Sequence, residues 1–356
     1  MDLFLFGGIQ SCDYKVIWEL TKMVKLLAAF TDLFQVEACM KSITQGLIFP
    51  MLLASCVGCG EQSTNVPEVK QPLDLKTANA SKTSDYEQIA HQLDEHLHAG
   101  NVSLANSLIN WDQFYERTFR GMNLSKNELE ETKLGFQISF ERKSWNHRTE
   151  SQLREGGVYK FLRVHEVDGQ QRALFRLVPQ SGGLDYHDHV LTKNESGLVQ
   201  FSDIFIYSIG QFMSENLRNV LQNSDFEEFS NHSDVLSQII GRLRQNNPAA
   251  ALALFKNLPA DLQQNKSILR LGIRAAAESQ NDNEYKNLLA KFRSLHPNDP
   301  SINFYAIDYF SLRNDYEKAL DAVNQLPETI AEDPFLDVVR ADMFFKAKKF
   351  QEAKNA

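Results

Sequence analysis

Two features of this 356-residue chain have residue types and spacing that could do chemistry: the histidine pair His187 and His189, and Cys56 at the end of a short apolar run. Histidines two apart on a strand project from the same face, as metal-binding pairs do in small β-barrels. His165, Glu195 and Asp203 are further donors that a sheet could bring beside them. The commoner fate of such strand histidines is a solvent-facing side, so no metal is expected, and His187 and His189 are the candidates if one binds. The thiol of Cys56 offers a different chemistry, the nucleophilic attachment of a covalent group to sulfur.

Cys56 closes Leu53-Ala54-Ser55-Cys56, and Met40-Lys41 followed by the apolar stretch Ile43 to Leu53 precedes it. That arrangement resembles the bacterial lipobox, which implies cleavage before Cys56 and attachment of diacylglyceryl and palmitate-type chains there. The apolar stretch is of signal-peptide length and shorter than the roughly 20 residues a membrane span needs. On this reading residues 1–39 are an upstream extension, 40–55 a signal peptide with Met40 as initiator, and 56–84 the lipidated cysteine and a tether. Cys59 is the alternative acceptor, but Cys56-Val57-Gly58 before it lacks the leucine. Residues 57–84 are too polar to offset their ordering entropy, as a tether should be. Val57 rather than Asp after the cysteine implies, by the same resemblance, the outer membrane of a two-membraned bacterium, facing the periplasm or the cell surface.

Composition narrows the rest. A net charge of −9 leaves no basic field for nucleic acid. No cysteine follows Cys59, so the body has neither a disulfide framework nor a thiolate metal site. The chain carries no His-Glu-x-x-His, Gly-x-Ser-x-Gly, phosphate-loop or dinucleotide motif, so no enzyme and no cofactor are expected. The cupin pattern also fails, because position 181 is Ser where it needs Gly and Glu195 comes too late.

The elements that would position the histidines begin at Asp85. Tyr86, Ile89, Leu93 and Leu97 share one helical face, and Leu104, Leu108, Trp111 and Phe114 share the next; Ser84 and the pair Ser125/Glu128 are caps. From Gly156 the period becomes two: Val158 to Val167, a turn at Asp168-Gly169, then Arg172 to Val178, Leu184 to Thr192 and Leu198 to Tyr207. A helix follows from Glu215. Residues 85–230 therefore read as an α+β domain, helices plus a four-stranded antiparallel sheet. A cystatin-like or nuclear-transport-factor-like form is one possibility, with Tyr159, Phe161, Tyr186 and Phe205 lining a cavity or filling a core.

Residues 231–356 carry an internal repeat. Leu258-Pro259 and Leu326-Pro327 lie 68 apart, and Asp315 to Ala319 matches Lys349 to Ala353 at 34; a middle unit at Tyr285 sits 31 residues before the next. The period resembles the tetratricopeptide repeat (TPR), implying an all-α solenoid of about four helical hairpins, the first at Asp234 to Leu258. By position in that repeat, Arg270, Ile273, Phe304, Asp308, Phe335, Val338 and Asp342 would face a groove for a protein or peptide partner, and Asp308 with Asp342 would favour a basic one. The last repeat is cut short at Ala356, leaving Phe344, Phe345 and Phe350 on an uncovered edge, so the native chain is expected to continue. The expected function is a membrane-tethered, non-enzymatic interaction lipoprotein. The alternative is an enzyme or a small-ligand or metal-binding protein acting through the α+β domain, with the repeats recruiting partners.

Overall fold

The computed structural model describes residues 84–141, 147–180, 183–222 and 226–356. The lipobox, the tether and the extension lie outside them. The chain is mixed α+β: helices, then a five-stranded antiparallel sheet, then further helices to the C-terminal end.

Helix α1 (Asp85–His98) starts on a capping box in which Ser84 and Glu87 satisfy each other's backbone N–H, and it buries Ile89, Ala90, Leu93 and Leu97. The next apolar set, expected as one helix, is two: α2 (Val102–Ser107) and α3 (Trp111–Phe119). Between them the chain bridges to the sheet, Asn110 N–H donating to Phe201 O (2.7 Å) and Phe201 N–H to Leu108 O (2.9 Å). Asn110 then caps α3 by accepting from Gln113 N–H, and Leu104 is left exposed. Helices α4 (Lys126–Glu141) and α5 (His147–Arg154) complete this layer; the Ser125/Glu128 capping box is present.

The sheet runs in chain order: β1 (Val158–Val167), β2 (Gln170–Val178), β3 (Asp185–Lys193), β4 (Val199–Ile206) and β5 (Gln211–Phe212). Asp168 and Gly169 both adopt positive φ (52° and 73°), the geometry of the tightest hairpin. The fifth strand corrects the expected count of four. It is two residues long, pairing Phe205 with Phe212 and Ile206 with Gln211, too short to show alternation. Helix α6 (Met213–Gln222) follows it directly.

Both faces of the sheet are covered. Phe175, Leu177, Phe201 and Ile206 pack with the N-terminal helices, while Leu174, Tyr186 and Tyr207 pack with the C-terminal helices around Phe304, Leu336 and Met343. Every residue of β3 from Asp185 to Leu191 is consequently buried. Tyr159 and Phe161 lie on the first side and Tyr186 and Phe205 on the second, so these four do not line one cavity.

The C-terminal helices are α7 (Phe226–Arg244), α8 (Pro248–Lys256), α9 (Lys266–Glu278), α10 (Asp282–Leu295), α11 (Ser301–Leu312), α12 (Tyr316–Asn324), the short α13 (Glu328–Ala331), α14 (Phe335–Lys346) and α15 (Phe350–Asn355). Left-handed residues recur at Asn246, Gln280, Asn314 and Lys348, three steps of 34. The residue after each donates its N–H five positions back, Asn247 to Arg242, Asn281 to Ala276, Asp315 to Phe310 and Lys349 to Phe344. This is the Schellman closure of a helix end. Asn247, Asn281 and Asp315 then cap the next helix with their side chains, whereas Lys349 provides no such bond.

These turns correct the spacing of 31 expected at the middle unit. Asp282, not Tyr285, is the counterpart of Tyr316, and Tyr285 occupies the place of Ala319. The larger ring fits because it stacks on Tyr309, centroids 3.7 Å apart, and donates its hydroxyl to Tyr305 O at 3.0 Å. Close approach elsewhere depends on Gly272, where a Cβ would stand 2.6 Å from the Phe255 ring.

Candidate functional site

Register places His187 opposite Phe175 and His189 opposite Ala173, on the face toward the N-terminal helices. Both imidazoles are fully buried, a correction to the expected solvent-facing histidines that follows from the N-terminal helices packing over their face of the sheet. The Tyr159 hydroxyl lies 2.7 Å from His189 Nε2 and 3.3 Å from His187 Nδ1, and Thr149 Oγ1 lies 3.4 Å from His187 Nδ1. His187 Nε2 is 3.5 Å from Asp185 Oδ2. Asp185 is held in turn by Ser208, whose hydroxyl donates at 2.6 Å and whose N–H donates at 3.0 Å. Burial first, and then His187, push the His189 imidazole well below the usual histidine range, so it is neutral. A tyrosine shared by two histidines can pass a proton. Here Tyr159 is 1 % exposed and both rings 0 %, so the chain of bonds fastens β1 to β3 in a sealed interior.

The other expected donors do not join this pair. His165 lies on the opposite face, its Nε2 2.7 Å from Asp188 Oδ1, with Arg172 Nη1 3.4 Å from Asp188 Oδ2. Asp203 accepts from the Ser214 hydroxyl (2.5 Å) and N–H (3.2 Å) at the start of α6, and burial pushes its carboxyl up to about 6. Glu195 sits in the exposed turn between β3 and β4. Among the described residues no three of His, Cys, Asp and Glu are grouped to hold a metal ion.

The residues expected to line a groove divide into two groups. Arg270, Phe304 and Phe335 contact the chain's own β-sheet region, although Phe304 and Arg270 also each border a cleft. The Arg270 guanidinium donates to Ile209 O, Phe304 packs on Tyr186 with centroids 6.4 Å apart, and the Arg176 guanidinium sits 4.3 Å over the Phe335 ring. Arg176 also donates to Asp333 (2.6 and 2.9 Å), which accepts from the Tyr186 hydroxyl at 2.8 Å. The expected concave face is thus partly filled from within, which no local motif announces.

The second group lines open space. A narrow cleft open to solvent is bounded by Leu184 just before β3, Ile307, Asp308 and Ser311 of α11, and Val339, Asp342 and Met343 of α14. A second is bounded by Ser208, by Arg270, Ile273, Arg274 and Ala277 of α9, and by Tyr305, Asp308 and Leu312 of α11. Asp308 belongs to both. It makes no hydrogen bond or ion pair among the described residues, and burial alone pushes its carboxyl up to about 7. Asp342 is paired with Lys346 at 3.0 Å; burial raises its carboxyl and Lys346 opposes the rise. Val338 is exposed at 49 % on α14. Sequence reasoning missed Ser311 and Leu184 because neither residue type marks a site and they meet only in the folded chain. Comparison with protein-family models, with curated proteins and with solved structures found no match.

Proposed function

We propose that this chain is a membrane-tethered, non-enzymatic interaction protein of a bacterial envelope, anchored at Cys56 and binding a protein partner through a TPR-like array. The observation that carries the reading is the recurrence, in steps of 34, of a Schellman turn joining two helices. That is the TPR period, and arrays of this kind present grooves to extended partners. The two clefts that border Asp308, between α9, α11 and α14, support that reading. The alternative, chemistry or metal binding in the α+β domain, finds less support, since the Tyr159, His187 and His189 cluster is sealed.

A photo-crosslinking amino acid placed at Val338 of the full chain in its own cells tests the interaction. The expected result is one reproducible protein adduct, absent when the same amino acid replaces exposed Leu295 on α10. Equal labelling from both positions would contradict it.

A further inference from the structure

We infer that the cleft between α11 and α14 is a receptor for one cationic side chain, lysine or arginine, of an extended polypeptide that lies across Asp308; this rests on the interaction reading above. The lining of that cleft contains two carboxylates, Asp308 and Asp342, and no basic residue. Asp342 already has Lys346, but among the described residues Asp308 has no ion-pair or hydrogen-bond partner. Three residues along α11, and so on the same helical face, Ser311 is 94 % buried with its hydroxyl lacking any hydrogen-bond partner. A buried hydroxyl and a desolvated carboxylate left unsatisfied are costly, and a ligand with several N–H donors would satisfy both.

The walls set the rest of the ligand. Leu184, Ile307, Val339 and Met343 are apolar. They suit the methylene stem that carries a lysine or arginine charge, which buries its stem readily while its head finds polar partners. A small free amine would fill one cleft, but Asp308 also borders the second, lined by Arg270, Ile273, Arg274, Ala277, Tyr305 and Leu312. Space on both sides of one acid favours a chain crossing it with a single charge at Asp308 on the side free of basic residues. The carboxyl then gains a cation that no ion pair among the described residues provides.

The test uses the full chain and immobilised peptides acetyl-Ala-Leu-Xaa-Leu-Ala-amide, with Xaa as Lys, Arg, norleucine or Glu. The expected result is retention of the Lys or Arg peptide over the norleucine one, lost by about tenfold or more in Asp308→Asn, and weakened in Ser311→Ala. Asp308→Asn keeps the size of the side chain and removes an unpaired charge, and circular dichroism checks that the variant folds. Charge-indifferent retention, or retention unchanged in Asp308→Asn, would overturn this inference and leave the interaction reading standing. Binding of 1,5-diaminopentane as tight as that of the peptides would overturn the polypeptide assignment. Retention of no peptide, together with no adduct from Val338, would overturn both.

Discussion

Asp308 is an acid that the fold holds under protest: burial lifts its carboxyl to about 7, and among the described residues no charge pairs with it. The folded pKa lies above the ordinary value near 3.8, so the folded state binds the extra proton. Stability from this group is therefore greatest at low pH and falls as pH rises from about 4 through about 7. Asp308→Asn should raise stability by about 1–3 kcal/mol at pH 8 and change it little at pH 4. Urea melts at the two pH values check this; equal effects at both would contradict it. Tyr159 is the opposite case, a satisfied buried group. Tyr159→Phe removes the hydroxyl shared by His187 and His189 and should cost about 1–3 kcal/mol in a thermal melt; an unchanged midpoint would contradict the network. The types His187 and His189 were legible in the sequence, but not their burial, because that depends on the N-terminal helices, among them the one carrying Thr149, packing over their face of the sheet.

Elements were legible where a local signal existed. The β1 strand falls at Val158–Val167 as its alternation and the Asp168-Gly169 turn imply, and the α1 cap falls at Ser84. Expectation failed where tertiary contact decides: Asn110 stops one helix and starts another because its backbone bonds Phe201, and β5 exists because Gly210 turns the chain back onto β4. Gly210 has φ of +60° and a Cβ there would meet Asp299, so the turn needs glycine. The repeat was misaligned at its middle unit since Tyr285 resembles the aromatic of other units, while the turn at Gln280-Asn281 that fixes the register has no distinctive residue. Gly272→Ala should destabilise the chain by about 1–3 kcal/mol by driving a methyl into the Phe255 ring. Adding Phe255→Leu should recover part of that loss; strict additivity of the two changes in denaturant melts would contradict the close approach.

At the scale of the molecule, sheet and C-terminal helices share a core. Leu174, Tyr186 and Tyr207 meet Phe304, Leu336 and Met343, and the Arg176, Tyr186 and Asp333 bonds cross the same boundary. Asp333→Ala strands the buried Arg176 guanidinium and should cost about 3–5 kcal/mol. Calorimetry should then show two separated transitions where the unaltered chain gives one; a single transition at an unshifted midpoint would contradict a shared core. With the sheet packed against the C-terminal helices, the clefts beside Asp308 are bordered by residues of both. The tether is the central claim, and the N-terminus tests it most directly. Mass spectrometry of the chain recovered from cell membranes should find Cys56 as the first residue, carrying diacylglycerol. A chain recovered from the soluble fraction with Ser55 still attached to Cys56 would contradict the account.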